Sequence, residues 1–216
     1  MSMARGSGVT VGGATLYPAG SIADEALSTT VAQYRRVVAG RYRALRLDDV
    51  SQLPPGPLFI TPKIDGELWY AACTADGVSL VSPTGRVLEG SLPLLDELSK
   101  GLFARAGAGA LIAGELFTLR RGARPRVGDV GRALGSDGDP SVLGFMAFDV
   151  VALAGDERPP DAWSERHALL AEWLAGGKRA QPIKLETGSS PADVKTYFET
   201  WVDGGKAEGL VVRSAA

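Results

Sequence analysis

The chain has 216 residues, 45% of them hydrophobic and 22% charged, which is enough apolar material for one large domain or two small ones. A formal net charge of −2 excludes nucleic-acid binding by bulk charge, so any such partner needs a local basic patch. The single cysteine, Cys73, excludes an internal disulfide framework, and the lack of an apolar run of the ~18 residues a membrane span needs makes the cytoplasm the expected location, with no membrane partner.

In chain order, residues 1–13 are small and glycine-rich without an apolar signal core, and the expectation is disorder. Residues 14–57 read as an N-terminal segment, with a helix and then a short strand over 29–46 and a brief helix over 48–53 ended by Pro54-Pro55. The pattern then turns to β. Strands are predicted at 58–61, 67–74 and 78–82, with Ala75-Asp76-Gly77 as the turn between the last two. Leu92, Leu95, Leu98 and Leu102 recur at helical spacing and predict an amphipathic helix over 92–106. A strand follows at 110–119, then a glycine- and arginine-rich loop with one short helix over 120–140, and an apolar strand at 142–153. The last elements are a helix at 164–174 opened by Ser164, a strand at 180–185, a helix at 191–202 and a strand at 208–213. Strands and helices mixed in this order predict an α+β fold of mainly antiparallel sheets flanked by helices, with residues 58–216 as the main domain.

Lys63-Ile64-Asp65-Gly66 lies between two apolar strands, an expensive place for an ammonium group. Desolvation or a neighbouring cation favours the neutral amine of a lysine, which is a competent nucleophile. Asp65 shares a face with Lys63 if the backbone stays extended, and Gly66 permits a close approach that a side chain would block. Alone, the four residues fit a surface turn as well as a reactive site.

Three further segments add to them. Gly114-Glu115-Leu116 sets a carboxylate inside an apolar strand, residues 145–151 hold Phe148 and Asp149 in another, and Glu208-Gly209-Leu210-Val211-Val212-Arg213 opens a strand with a carboxylate. Their order and spacing resemble the covalent nucleotidyltransferase superfamily: ATP-dependent DNA ligases, RNA ligases and mRNA capping enzymes. The resemblance covers residues 58–214. It includes residues 82–86, similar to the family's Ser-x-x-Gly segment, and residues 163–170, similar to a Glu-Arg-x-x-Leu-Leu helix of DNA ligases.

The resemblance implies an ATP-grasp-like nucleotidyltransferase (adenylation) domain. It also implies that Lys63 attacks the α-phosphate of ATP to form lysyl-AMP, which passes to a 5′-phosphate end of RNA or DNA before a 3′-hydroxyl displaces AMP. By the same resemblance Mg2+ (or Mn2+) is the ion, bound by Glu208 with Asp65 assisting; Glu115 holds the ribose, Phe148 stacks on adenine, and Arg86 touches the phosphates. Asp149 is read as structural, and the lone His167 as a surface or packing residue. Arg120, Arg121, Arg124, Arg126 and Arg132 are read either as a solvated loop or as contacts to nucleic-acid phosphates.

The match has departures. Leu68 stands where DNA ligases and capping enzymes commonly carry arginine and some phage-type RNA ligases carry leucine, which points toward RNA, and Pro83 replaces an arginine common in DNA ligases. The Phe148 strand and Ser164-Glu165-Arg166 look more like DNA ligases, so both polynucleotides stay open. The family's final pair of phosphate-binding lysines would follow the Glu208 strand, and Lys178, Lys184 and Lys206 all precede it. The expectation is therefore a unit truncated before that motif and before any OB-fold domain, with weak self-adenylation on its own. The rival readings are a degenerate module that binds nucleotide or nucleic-acid ends without ligation, and a GTP-using capping enzyme.

Overall fold

The computed structural model describes residues 2–38, 41–120, 124–155 and 157–215. The strands are β1 (Val9–Val11), β2 (Ala14–Tyr17), β3 (Leu58–Lys63), β4 (Glu67–Thr74), β5 (Gly77–Val81), β6 (Val87–Gly90), β7 (Leu111–Thr118), β8 (Leu143–Ala152), β9 (Ala180–Pro182), β10 (Glu186–Gly188) and β11 (Gly209–Ser214). The helices are α1 (Glu25–Val38), α2 (Pro93–Leu98), α3 (Ala104–Ala106), α4 (Val127–Ala133), α5 (Trp163–Trp173) and α6 (Pro191–Phe198). A π-helical turn, Ser99–Phe103, joins α2 to α3, so the leucine repeat forms one continuous helical segment.

Eight strands form one sheet in the order β1-β2-β6-β5-β4-β7-β8-β9, and three form a second, β10-β3-β11. Every pairing between these strands is antiparallel except β8 with β9. The α+β expectation is met. Period-2 alternation splits the large sheet into two buried faces. On one, Trp69, Leu80, Leu88, Ile112, Leu116 and Phe145 pack with Leu94, Leu95 and Leu98 of α2. On the other, Tyr70, Val81, Val87 and Ala113 pack with Val31 of α1. The small sheet turns Leu58 and Ile60 toward Val194 of α6, Trp201 and Val50. Burying a large apolar side chain of this kind contributes about 1.5–3 kcal/mol, so these three clusters are what hold the strands in register.

Several expectations need correction. Residues 9–11, expected to be disordered, form β1, which pairs Val9 with Leu16 and Val11 with Ala14 of β2. Within the segment 14–57, β2 pairs with β6, and α1 covers one face of the large sheet. Among the described residues 42–46, where a strand is expected, none joins a ladder, and 48–53 form a 3-10 turn, Leu47–Gln52. Among the described residues no helix is long and apolar enough to cross a membrane.

Candidate active site

Lys63 is the last residue of β3 and pairs in register with Gly209 of β11. On this strand Leu58 and Ile60 enter the core, so Phe59, Thr61 and Lys63 face the other way, together with Gly209, Val211 and Arg213 opposite them. Trp163 joins this face to the large sheet. Its ring lies 5.6 Å from that of Phe59, Arg213 stacks 4.4 Å over it, and its Nε1 donates to the Phe148 carbonyl at 3.0 Å. The Lys63 face of the small sheet and β8 of the large sheet are thus tied at Trp163, and the groove is the space that they flank.

Glu208 is positioned by the backbone: its N–H donates to the Lys63 carbonyl at 2.9 Å. Its carboxylate also accepts a hydrogen bond from Lys63 Nζ. The two side chains are 50% and 41% exposed. The expectation of a desolvated Lys63 is thus corrected. Its side chain extends past the strand end, where a carboxylate and water rather than apolar walls surround it.

Gly66 has a steric reason to be glycine. A Cβ there would lie 2.3 Å from the Leu116 carbonyl oxygen and 2.9 Å from Glu115 Cγ. Its backbone N–H lies close enough to the Glu115 carboxyl to oppose a rise in that group's pKa. Gly114 is equally constrained, since a Cβ would meet the Phe145 ring at 2.4 Å. The Gly-Glu pair thus combines a close strand-to-ring contact with the carboxylate that follows it.

Glu115 alternates with Ala113 on β7 and shares its side of the sheet, where half-buried Phe148 also packs. Burial pushes the Glu115 carboxyl up to about 7; the Lys63 ammonium and the Gly66 N–H oppose the rise, and the carboxylates of Glu208 and Asp65 add to it. Lys63, Asp65, Gly66, Glu115 and Glu208 thus form one electrostatic group, with Phe148 on the same wall as Glu115.

Asp65 belongs to this group in a different way from that expected. The chain leaves β3 after Lys63, so the two residues do not share a strand face. Asp65 Oδ1 accepts the N–H of Val127, the first residue of α4, at 3.1 Å. Its Oδ2 lies 3.7 Å from Arg124 Nη2, and its side chain is 20% exposed. Arg124 Nη1 also donates to the Ala207 carbonyl at 3.1 Å, so one guanidinium ties Asp65 to the residue before Glu208. Sequence reasoning gave Arg124 no such role. Of the two carboxylates expected to hold a metal, Glu208 is the one whose surroundings leave it open to solvent.

Arg86 is not part of the group. Its Nη1 donates to Glu67 at 3.2 Å and its guanidinium lies 4.9 Å over the Trp69 ring. Trp69 alternates with Leu68 and Tyr70 on β4, and so occupies the opposite face from Glu115. Residues 82–86 form the β5–β6 turn, in which Ser82 Oγ accepts the Arg86 N–H at 3.0 Å and Gly85 takes φ +82°.

Asp149 is structural, as expected, accepting from Tyr34 and Arg166. His167 packs at 5.2 Å on Trp163 and bonds the Ile183 carbonyl at 2.7 Å. In the arginine-rich stretch, Arg120 and Arg132 converge on Asp129 at 2.8 and 3.3 Å, while Arg121 lies outside the described residues. Asp129 was missed, although its spacing of three from Arg126 is that of a helix-start cap; its Oδ2 accepts the Arg126 N–H at 3.0 Å. Two other clefts, of about 420 and 580 Å3, lie near Asp76 and Glu89 and near Glu97 and Trp173, and neither includes Lys63 or Glu115. Among the described residues no group of three or more His, Cys, Asp or Glu is set to hold a metal unaided.

No family model and no curated protein matches the chain by sequence. Solved structures do match by shape. One, described as Pmar-Lig_Pre, superposes with a TM-score of 0.60 at 17% identity, over 80% of this chain and 42% of its own. A structure from a study of Lig E DNA ligases gives 0.53 at 16% identity, over 76% and 57%. An archaeal ATP-dependent RNA ligase gives 0.51 at 20% identity, over 80% and 44%. The chain spans about half the length of these proteins and has the fold of the ligase nucleotidyltransferase domain.

Proposed function

We propose that the chain is the adenylation unit of an ATP-dependent polynucleotide ligase, with Lys63 as the residue that takes AMP. The observation that carries this reading is the convergence of Lys63, Glu115 and Glu208, drawn from β3, β7 and the start of β11, on one groove walled by Phe148.

In this reading Lys63 Nζ gives up a proton, for which hydrogen-bonded Glu208 is the adjacent acceptor, and its lone pair attacks the α-phosphorus of ATP. A P–N bond forms and the bond to pyrophosphate breaks. A 5′-phosphate oxygen of the nucleic-acid end then attacks the same phosphorus, breaking the P–N bond. A 3′-hydroxyl finally attacks the 5′-phosphate, sealing the strand and releasing AMP. Such chemistry depends mainly on alignment and charge neutralisation. Glu115 accepts from a ribose hydroxyl and Phe148 offers its ring to adenine. Asp65 holds the turn between β3 and β4 through Arg124 and α4. Mg2+ or Mn2+ fits beside Glu208, because such ions bind through one or two carboxylates with water and phosphate oxygens; there it would neutralise phosphate charge. The substrate is RNA or DNA with 5′-phosphate and 3′-hydroxyl ends.

The test is incubation with radiolabelled ATP and magnesium, followed by a denaturing gel. Label from ATP is expected that vanishes in Lys63→Ala and persists in His167→Ala. Label from GTP alone would make the chain a capping-type enzyme, and no label from either nucleotide, even with the natural downstream sequence restored, would leave a binding module. Sealing of nicked duplexes against single-stranded RNA ends, measured on the whole protein, separates the two substrates.

A further inference from the structure

We infer that the arginine run from the end of α1 to residue 46 is the track that grips the sugar-phosphate backbone of the polynucleotide as its end enters the Lys63 groove. The inference rests on the adenylation reading for which end enters; the surface itself is argued from charge and position.

Arg35, Arg36, Arg41, Arg43 and Arg46 fall within twelve residues that contain no acidic side chain, the nearest being Glu25 and Asp48. The chain carries 23 basic and 25 acidic residues, so outside this run 18 basic residues face 25 acidic ones. A near-neutral protein has thus gathered positive charge on one segment. All five arginines are exposed, and none forms an ion pair with a described residue; Arg43 donates a neutral hydrogen bond to Gln52 at 2.7 Å. Like charges held this close repel one another, and a polyanion relieves that repulsion while releasing counterions.

Position decides which polyanion. At one end Val31 of α1 packs with Tyr70 and Ala113 on the face that carries Glu115, and Tyr34 donates to Asp149, the neighbour of Phe148, at 2.7 Å. At the other end the Tyr42 ring, 46% exposed, lies 5.3 Å from the Arg213 guanidinium, on the β11 face that Lys63 shares. The arginines therefore flank two anchored points, Tyr34 beside the sheet face of Glu115 and Phe148, and Tyr42 beside Arg213 on the Lys63 face. A strand laid along these arginines leads its terminus toward Lys63, and contacts to phosphate position that terminus without reading sequence.

The test compares the wild-type chain with Arg35→Gln/Arg36→Gln/Arg41→Gln/Arg46→Gln and with Arg5→Ala/Lys100→Ala/Lys178→Ala/Lys195→Ala, which removes equal charge from other exposed sites. Binding of a fluorescent 5′-phosphorylated nicked DNA duplex, and of a single-stranded RNA, is read by anisotropy over a salt series, with melting curves confirming that each variant is folded. Each phosphate contact contributes about 0.9 to the slope of log K against log salt on duplex DNA, and about 0.7 on a single strand. The arginine variant should therefore lose up to about 3.6 units of slope on the duplex and about 2.8 on the single strand, and bind about a hundredfold more weakly at low salt, while the second variant binds as wild type. Equal weakening in both variants, an unchanged slope, or no binding by the wild type overturns the inference. So does arginine-dependent binding of phosphatidylserine vesicles with nucleic-acid binding intact. The ATP label on Lys63 is scored separately: a protein that binds strands but takes no label, even with the natural downstream sequence restored, defeats the adenylation reading and leaves the track standing.

Discussion

Glu208 is joined to Lys63 twice, by its backbone N–H to the Lys63 carbonyl at 2.9 Å and by its carboxylate to Nζ. The backbone link fixes where the carboxylate starts, so Glu208→Gln keeps the shape and removes only the charge. Both side chains are about half exposed, and an ion pair of this kind contributes less than about 1 kcal/mol to folding. The urea midpoint should therefore barely move, while the ATP label falls by about a hundredfold, as befits a charged contact at a reacting atom. A large loss of stability with label intact would assign Glu208 to scaffolding.

Gly66 tests the groove from its floor. An added methyl would sit 2.3 Å from the Leu116 carbonyl, a backbone atom of β7 that cannot swing away. Gly66→Ala must then separate β7 from the β3–β4 turn, a distortion of the overpacking kind that costs about 1–3 kcal/mol. The shift also moves Glu115, whose Cγ would lie 2.9 Å from the added methyl. Denaturant unfolding should report the loss, and the label should fall with it. Wild-type stability in Gly66→Ala would show that the contact relaxes freely.

Glu115 makes stability depend on pH with an unusual sign. Its carboxyl rises from an ordinary 4.5 to about 7 on folding, mainly through burial. Between those values the folded chain holds a proton that the unfolded chain has released. Stability from this group is full below about pH 4.5 and is lost as pH rises through about 7, by at most about 3 kcal/mol. Urea midpoints at about pH 5 and about pH 8 should differ in that direction for the wild type. The contribution should vanish in Glu115→Gln, which cannot titrate. A wild-type midpoint that climbs over the same window would rule out the buried carboxyl.

The strands β4, β7 and β8 were legible because each is an apolar run bounded by glycine or charge, and the order Lys63, Glu115, Phe148, Glu208 was visible along the chain. The shorter strands β1, β2 and β6 were not read. They hold three or four residues each, and what orders them is pairing across the sheet, Val9 with Leu16 and Tyr17 with Val87, rather than local preference. In the site, Asp65 was misread because spacing alone does not show that the chain leaves the strand at Ile64. Arg86 was misread because its partners, Glu67 and Trp69, are set by the β4–β5–β6 meander. The roles of Arg124 and Asp129 are tertiary in the same sense.

The last prediction concerns the seam that closes α1 over the groove. Tyr34 donates to Asp149 Oδ2 at 2.7 Å, and Arg166 Nε donates to Asp149 Oδ1 at 2.6 Å. Arg166 also bonds the carbonyls of Pro160 and Asp161 at 2.8 and 2.7 Å, so one buried carboxylate joins α1, β8 and the lead-in to α5. Burial first, and then Asp149, hold the Tyr34 phenol far above its usual range, so it stays a donor at any working pH. Asp149→Asn keeps the volume but strands the Arg166 charge, and should cost about 3 kcal/mol. Tyr34→Phe loses one hydrogen bond and should cost about 1–2 kcal/mol. If the seam is a single unit, Tyr34→Phe should cost much less in the Asp149→Asn background than alone, a coupling measured by a double-mutant cycle in urea. Additive losses would mean that α1 and α5 are held independently, and that the wall carrying Phe148 does not need α1 to stay in place.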